Sequence, residues 1–224
     1  HGKIVNRYRG IRENRYDKMK IVLLGAPGSG KGTQASLISE RYGLPHISTG
    51  DIFRENIKKG TPVGLKIKSI IDGGDLAPDE LTIEIVKERL SQPDCKDGYL
   101  LDGFPRNVVQ AEALEGFNAP TAVIDIDIPL SKLERRLTGR RSCEKCKSSF
   151  HVDFIGETDV CPECGGKLSV RKDDNPESVK ERFAVYAAQT EPLIAYFAAK
   201  NRLLTVDGDK PINTVFEEIT KVLL

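Results

Sequence analysis

Residues 25–33 read Gly-Ala-Pro-Gly-Ser-Gly-Lys-Gly-Thr, a match to the pattern G-x-x-x-x-G-K. Loops of this kind turn consecutive backbone N–H groups toward an anion, and the lysine ammonium reaches its terminal phosphates. Glycine is needed where a Cβ would hold the backbone away from the ligand. Gly32 stands where Ser or Thr is usual, with Thr33 one place later, so no hydroxyl at position 32 can ligate Mg²⁺. A second apolar run ends in Leu100-Leu101-Asp102-Gly103. A carboxylate at the end of a strand beside a phosphate loop is suited to hold Mg²⁺, directly or through water.

Cys143-x-x-Cys146 and Cys161-x-x-Cys164 form a second chemical cluster, with 14 residues between the two pairs. Such knuckles suit tetrahedral Zn²⁺, and Gly165 and Gly166 permit the second tight turn. Four thiolates fill the coordination shell, so the metal is expected to be structural rather than catalytic. Disulfides are the competing chemistry, and nothing in the sequence marks the oxidising compartment they need. The fifth cysteine, Cys95, reads as a plain surface or half-buried thiol.

These groups need a scaffold. Apolar strand-like runs at 20–24, 45–48, 99–102, 121–128 and 203–206 alternate with helical patterns at 31–42, 51–59, 63–73, 79–91, 107–115, 130–138, 176–200 and 212–224. Several runs are continuously apolar, as strands covered on both faces are. The alternation predicts an α/β fold, a five-stranded parallel sheet wrapped by helices. Two stretches break the rhythm, 48–77 with two short helices and 139–175 with four cysteines and many turn residues. Both read as insertions at loop ends of the sheet, where function concentrates.

Composition narrows the classes. Hydrophobic residues are 39% and charged residues 30% of 224, enough apolar material for a sizeable core. No apolar run approaches the ~20 residues of a membrane span. Residues 1–18 carry six basic side chains against Glu13 and Asp17, which leaves the remainder with a net charge of −3. The only methionine is Met19, directly before the first apolar run, so 1–18 read as a leader or tag ahead of the natural start. A basic targeting arm is the rival reading of that segment, but it lacks an apolar stretch and Ser.

The motifs 25–34, Ser48-Thr49-Gly50-Asp51 with Arg54, 101–106, Gly139-Arg140-Arg141 and Asp173-Asp174-Asn175 occur in one order. Through them the chain from 19 to 224 resembles the adenylate kinases, in the form with a zinc-bearing lid. The Gly32-Thr33 pair is itself normal for those enzymes. The resemblance implies a P-loop NTPase fold with a core of 19–47, 78–138 and 176–224, an insert at 48–77 that binds a nucleoside monophosphate, and a zinc-containing lid at 139–175. It also implies reversible, Mg²⁺-dependent phosphoryl transfer from ATP to AMP, serving adenine nucleotide balance, by a cytoplasmic monomer. The partners it implies are ATP, AMP and ADP, with neither nucleic acid nor membrane.

Carried over by motif position, Gly28, Ser29, Gly30, Lys31, Gly32 and Thr33 would wrap the ATP phosphates. Arg140 would reach ATP from the lid, Ser149 and Phe150 would flank its base, and Lys210 would meet the base through a backbone carbonyl. Thr49 and Arg54 would bind AMP, as would Asp75, Leu76 and Ala77 through backbone. Gly103, Phe104, Pro105 and Arg106 would pass beneath AMP, with Arg106 on its phosphate, and Gln110 would read the adenine edge. Arg171 and Arg182 would bridge the two phosphate chains. The catalytic set implied is Lys31, Asp102, Arg106, Arg140, Arg171 and Arg182. His46 and His151 are expected to pack or hydrogen-bond, because phosphoryl transfer of this kind needs no histidine base. A kinase for UMP or CMP is the nearest alternative, and Thr49 and Gln110 argue against it. A nucleic-acid-binding protein with a zinc ribbon is the alternative from another class, disfavoured by the −3 body and the lack of interleaved aromatic and basic residues.

Overall fold

The computed structural model describes residues 19–223; the segment 1–18, read above as a leader, lies outside them. Strand β1 (Met19–Leu24) runs into helix α1 (Lys31–Tyr42), and β2 (His46–Ser48) follows. Helices α2 (Thr49–Lys59), α3 (Pro62–Gly73) and α4 (Asp79–Leu90) lead to β3 (Gly98–Asp102). Then come α5 (Val108–Asn118), β4 (Ala122–Asp127) and α6 (Leu133–Thr138). Next are the short β5 (Arg140–Cys143), β6 (Ser149–His151), α7 (Val152–Ile155) and β7 (Leu168–Ser169). Helices α8 (Pro176–Val185) and α9 (Pro192–Ala199), strand β8 (Leu203–Asp207) and α10 (Ile212–Leu223) complete the chain.

The sequence expectation of a five-stranded parallel sheet holds, with the order β2-β3-β1-β4-β8. Consecutive residues of β1 serve opposite faces: Val22 and Leu24 pack with Leu101, Phe104 and Phe197, while Ile21 and Leu23 pack with Ile38, Ile124 and Ile219. Burial on both faces is why the strands read as unbroken apolar runs. Strand order reverses beside β1, so the crevice for a ligand lies at the carboxyl ends of the central strands. There Leu23 pairs with Asp102 on one side and Leu24 with Asp125 on the other. No helix among the described residues is long and apolar enough to cross a membrane.

Local chemistry sets the helix starts around that crevice. Ser48 closes β2 and caps α2 by accepting from Asp51 N at 3.3 Å. Asn107 caps α5 through Gln110 N at 2.9 Å, and Asn175 caps α8 through Ser178 N at 3.0 Å. Each cap satisfies an N–H that the helix itself cannot.

Two expectations are corrected. The periodicity over 176–200 predicts one helix, but α8 gives way at Tyr186–Thr190 to a π-helical turn before α9 starts at Pro192. Proline has no N–H to continue an i→i−4 ladder, and the wider turn absorbs the mismatch, with Glu191 N donating to Tyr186 O at 2.9 Å. Cys95 is a core residue, 3% exposed, rather than a surface or half-buried thiol. A 3₁₀ turn at Pro93–Cys95 tucks it beneath Tyr99 and Leu101, and Arg89 Nη1 donates to its sulfur at 3.0 Å.

Leu101 is fully buried between the sheet and its helices. Leu101→Ala is expected to lower stability by about 2–5 kcal/mol in urea unfolding, the usual cost of such a cavity. A cost below ~1 kcal/mol would contradict this account of the core.

Candidate active site and metal centre

The chain leaves β1 at Gly25, where an added Cβ would lie 2.7 Å from both Ile126 O and Ser29 Oγ, so no other residue fits. Gly30, at φ 97°, turns the chain into α1. Lys31 then folds across the loop: its ammonium donates to Gly25 O at 2.7 Å and Ala26 O at 2.9 Å. Burial, and then the charges of Arg106, Arg182 and Arg140, bring Lys31 down to about 8 despite the opposing pull of Asp102. Asp102 faces the loop from β3, and a Cβ at position 32 would lie 3.7 Å from its Oδ2. Burial pushes the Asp102 carboxyl up, but His46 at 3.7 Å, Lys31 and Arg106 outweigh it and hold the group below its ordinary value.

Arginines from several elements converge on this point. Arg106 Nε donates to Gly103 O at 2.9 Å, and Thr49 Oγ1 donates to the same carbonyl at 2.8 Å. Arg140 grips Asp174 with two bonds, at 2.6 and 2.8 Å, and Arg182 reaches the same carboxylate at 2.8 Å and Asp173 Oδ2 at 3.0 Å. Arg171 donates to Ser142 Oγ at 3.0 Å, and Arg54 to Asp51 at 2.6 Å. Burial and mutual repulsion lower Arg106 and Arg182 and bring Arg171 down to about 9. Buried cations that depress one another make a site suited to a polyanion.

Other expected residues lie around this cluster. Gln110 is 1% exposed; its Oε1 accepts from Arg106 N at 2.8 Å and its Nε2 donates to Asp79 at 2.7 Å. Phe104 is buried in the core, with the Phe104–Pro105 peptide cis. Asp75 Oδ1 accepts from Leu76 N, and Ala77 packs with Phe53 and Ile67. Ser149 pairs with Ser142, Phe150 packs against the buried cysteines, and Lys210 is paired with Glu218 at 2.7 Å. These last three share no side-chain hydrogen bond with the arginine cluster.

Strands β5, β6 and β7 form an antiparallel sheet that the sequence pattern did not resolve, since each spans two to four residues. It carries the cysteines. All four sulfurs lie within 4.8 Å of one another, with Cys143 and Cys164 at 3.5 Å and Cys146 and Cys161 at 3.7 Å. A tetrahedron of thiolates at Zn–S distances of ~2.3 Å has edges of about 3.8 Å, so the donor set fits Zn²⁺. Cys146 N donates to Cys143 Sγ at 3.4 Å, and a Cβ on Gly166 would crowd both Cys143 and Cys164 sulfurs at 3.1 and 3.2 Å. Lys58 on α2 lies 3.8 Å from Glu144, so the helix pair and this small sheet meet over the crevice.

The family model for adenylate kinase matches residues 23–202. The chain is 57% identical to an adenylate kinase of Clostridium tetani over 212 residues, 92% of this chain and 98% of that one. It is 54% identical to one of Clostridium perfringens over 213 residues, with the same coverage. Against one of Alkaliphilus oremlandii it is 50% identical over 217 residues, again covering 92% and 98%. The chain belongs to the adenylate kinase family.

For an adenylate kinase, three groups in this crevice went unassigned from sequence. Thr190, freed by the π-helical turn, donates to Arg106 O at 2.8 Å. Asp79 holds Gln110, but an acid in the first turn of a helix looks like an ordinary cap charge. Asp125 had a visible signal, an acid inside the apolar run 122–128. It is 3% exposed, its Oδ1 has no hydrogen-bond partner, and burial with Asp127 beside it pushes its carboxyl up to about 6.

An acid raised on folding costs stability from its unfolded value upward, where the unfolded chain ionises first, and the cost is complete once the native group ionises. The contribution of Asp125 should therefore fall as pH rises from ~4 to ~6, and Asp125→Asn should gain up to about 3 kcal/mol at pH 8 but nothing at pH 3.5. Denaturant melts at the two pH values check this; a pH-independent difference would refute it. For the metal centre, Cys161→Ser with Cys164→Ser should abolish zinc content and lower the melting temperature of residues 139–175, while the parallel sheet still folds. Unchanged melting and kinetics in the metal-free variant would overturn the structural assignment.

Proposed function

We infer that this chain transfers the terminal phosphoryl group of ATP to AMP, reversibly, giving two ADP. The observation that carries this is the convergence of Lys31, Arg54, Arg106, Arg140, Arg171 and Arg182 at the carboxyl end of β1, beside the glycine-rich loop 25–33. Two polyanions brought within reaction distance repel each other, and a fixed set of cations offsets that repulsion. Arginine suits the task, being always charged and able to bond phosphate at two points.

In this reading Gly28, Ser29, Gly30, Gly32 and Thr33 wrap the ATP phosphates through backbone N–H, and Lys31 neutralises them. Asp174 fixes the planes of Arg140 and Arg182 and leaves their other N–H donors for phosphate. Arg171 and Arg182 span the two phosphate chains. Arg54 and Arg106 hold the AMP phosphate, Thr49 with Gly103, Phe104 and Pro105 forms the floor, and Asp75, Leu76 and Ala77 line the sugar side through backbone. Gln110 reads the adenine edge. Ser149, Phe150 and the Lys210 carbonyl border the ATP base. Asp102, kept ionised by His46, Lys31 and Arg106, is the residue that would hold Mg²⁺, which when bound would offset the charge on the outer phosphates of ATP. The segments 48–77 and 139–175 close over AMP and ATP and exclude water, which would otherwise accept the phosphoryl group.

The four cysteines would hold Zn²⁺ as a staple for the lid, and free thiolates of this kind fit a reducing cytoplasm. In this reading the chain acts as a monomer that serves adenine nucleotide balance.

Lys31→Met should retain the wild-type melting temperature within a few degrees and lose roughly 10²–10³ in kcat, the scale for removing one preorganised charge partner. Coupled assays with AMP, CMP, UMP and GMP as acceptors measure both rate and preference. Near-normal turnover by the variant would sink the site assignment.

A further inference from the structure

An amide side chain offers two acceptor and two donor positions, and its oxygen and nitrogen differ only in what they can bond. Which way it points is therefore decided by its partners. Gln110 has two partners that allow one answer. Arg106 N–H can only donate, and it meets Oε1 at 2.8 Å. The Asp79 carboxylate accepts, and its Oδ1 meets Nε2 at 2.7 Å. Asn107 tightens the arrangement: its Nδ2 donates to the same Asp79 oxygen at 2.9 Å, while its Oδ1 accepts from Gln110 N at 2.9 Å. Turning the Gln110 amide over would set its carbonyl against a carboxylate and its NH₂ against an N–H.

The remaining pair on Gln110, one acceptor position on Oε1 and one N–H on Nε2, consequently has a fixed order in space. A base edge with an exocyclic amine next to an unprotonated ring nitrogen complements that order. A 6-oxo purine presents the reverse, a carbonyl next to a ring N–H. We propose that Asp79, acting with the Arg106 N–H, fixes specificity for amino-substituted bases, by locking the Gln110 amide against reversal. This rests on the reading of Gln110 as the residue that meets the base. Asp79 touches no substrate in this account; it is a positioning residue, 31 positions before the side chain it orients.

The test uses AMP and IMP, which differ at the edge in question, with CMP as a control that keeps the amine-and-acceptor order of AMP. Asp79→Asn replaces an obligate acceptor with a group that can also donate, so one of the two constraints on the amide is lifted and reversal opposes only the Arg106 N–H. The ratio of kcat/KM for IMP to that for AMP should rise roughly tenfold, the scale set by removing one unfavourable buried polar encounter. The CMP-to-AMP ratio should stay constant. A purely structural role for Asp79 would depress all three acceptors together or loosen the site for CMP as well as IMP, and either result overturns the proposal. Asp79→Ser, whose hydroxyl also donates and accepts, gives the same reading if thermal melting finds the Asn variant unfolded. Gln110→Leu separates the two levels. If it leaves the IMP-to-AMP ratio unchanged, the base is met elsewhere and both readings fall. If it changes that ratio while the Asp79 variants do not, only the Asp79 assignment falls.

Discussion

The rest of this molecule is arranged around one electrostatic constraint, the crowding of Lys31 and five arginines into a crevice shielded from water. Left to themselves, such cations repel and resist burial, as the lowered values of Lys31 and Arg171 record. The chain manages this by giving each cation a fixed internal partner of limited capacity. Loop carbonyls hold Lys31, the Gly103 carbonyl holds Arg106, and Asp173 with Asp174 holds Arg140 and Arg182. Each guanidinium keeps donors beyond those used, so the partners orient the charges without quenching them.

That arrangement explains why the cations come from such distant parts of the chain. A parallel sheet delivers its loops to one end, and the reversal of strand order beside β1 opens a crevice there. Lys31 and Arg106 come from the sheet's own loops and Arg182 from α8. Arg54 and Arg171 come from segments that cover the crevice. A segment such as 140–169 has too few apolar residues to build its own core, with Phe150, Ile155 and Leu168 gathered around the cysteines. A metal held by the four thiolates would supply the missing cohesion locally and leave the sheet's two apolar layers independent of it.

Much of this was legible in the sequence, for a physical reason. The phosphate loop, the Asp at the end of β3 and the paired cysteines are local chemistry, in which residue type and spacing within about ten positions determine what the backbone can do. Continuous apolar runs marked β1, β3 and most of β4, because burial on both faces removes the polar alternation, while the sheet-edge strands β2 and β8 were read from the strand–helix rhythm. What stayed hidden depends on distance along the chain. Asp79 meets Gln110 across 31 positions and Thr190 meets Arg106 across 84, and no pattern in either segment encodes the partner. Cys95 looked superficial because its neighbours Asp94 and Lys96 are charged, yet the turn that exposes them buries the thiol. The break within 176–200 was signalled by Pro192, but helical periodicity continued through it.

The two carboxylates flanking β1 show how position and environment divide their roles. Asp102 and Asp125 pair with adjacent residues of the same strand, Leu23 and Leu24, at the mouth of the phosphate loop. Their surroundings oppose each other. Asp102 has His46, Lys31 and Arg106 to stabilise its charge and sits below its ordinary range. Asp125 has Asp127 and burial against it, gains only partial relief from Lys31, and rises to about 6. A cation accompanying the nucleotide is attracted by a carboxylate that stays ionised and is accessible from the crevice. The β3 side meets both conditions. On the β4 side, with Oδ1 sealed from solvent and unpartnered, the carboxylate is costly to ionise. Asp125 is thus the carboxylate whose ionisation costs stability, and the asymmetry across β1 leaves Asp102 as the better-supported anion beside the loop.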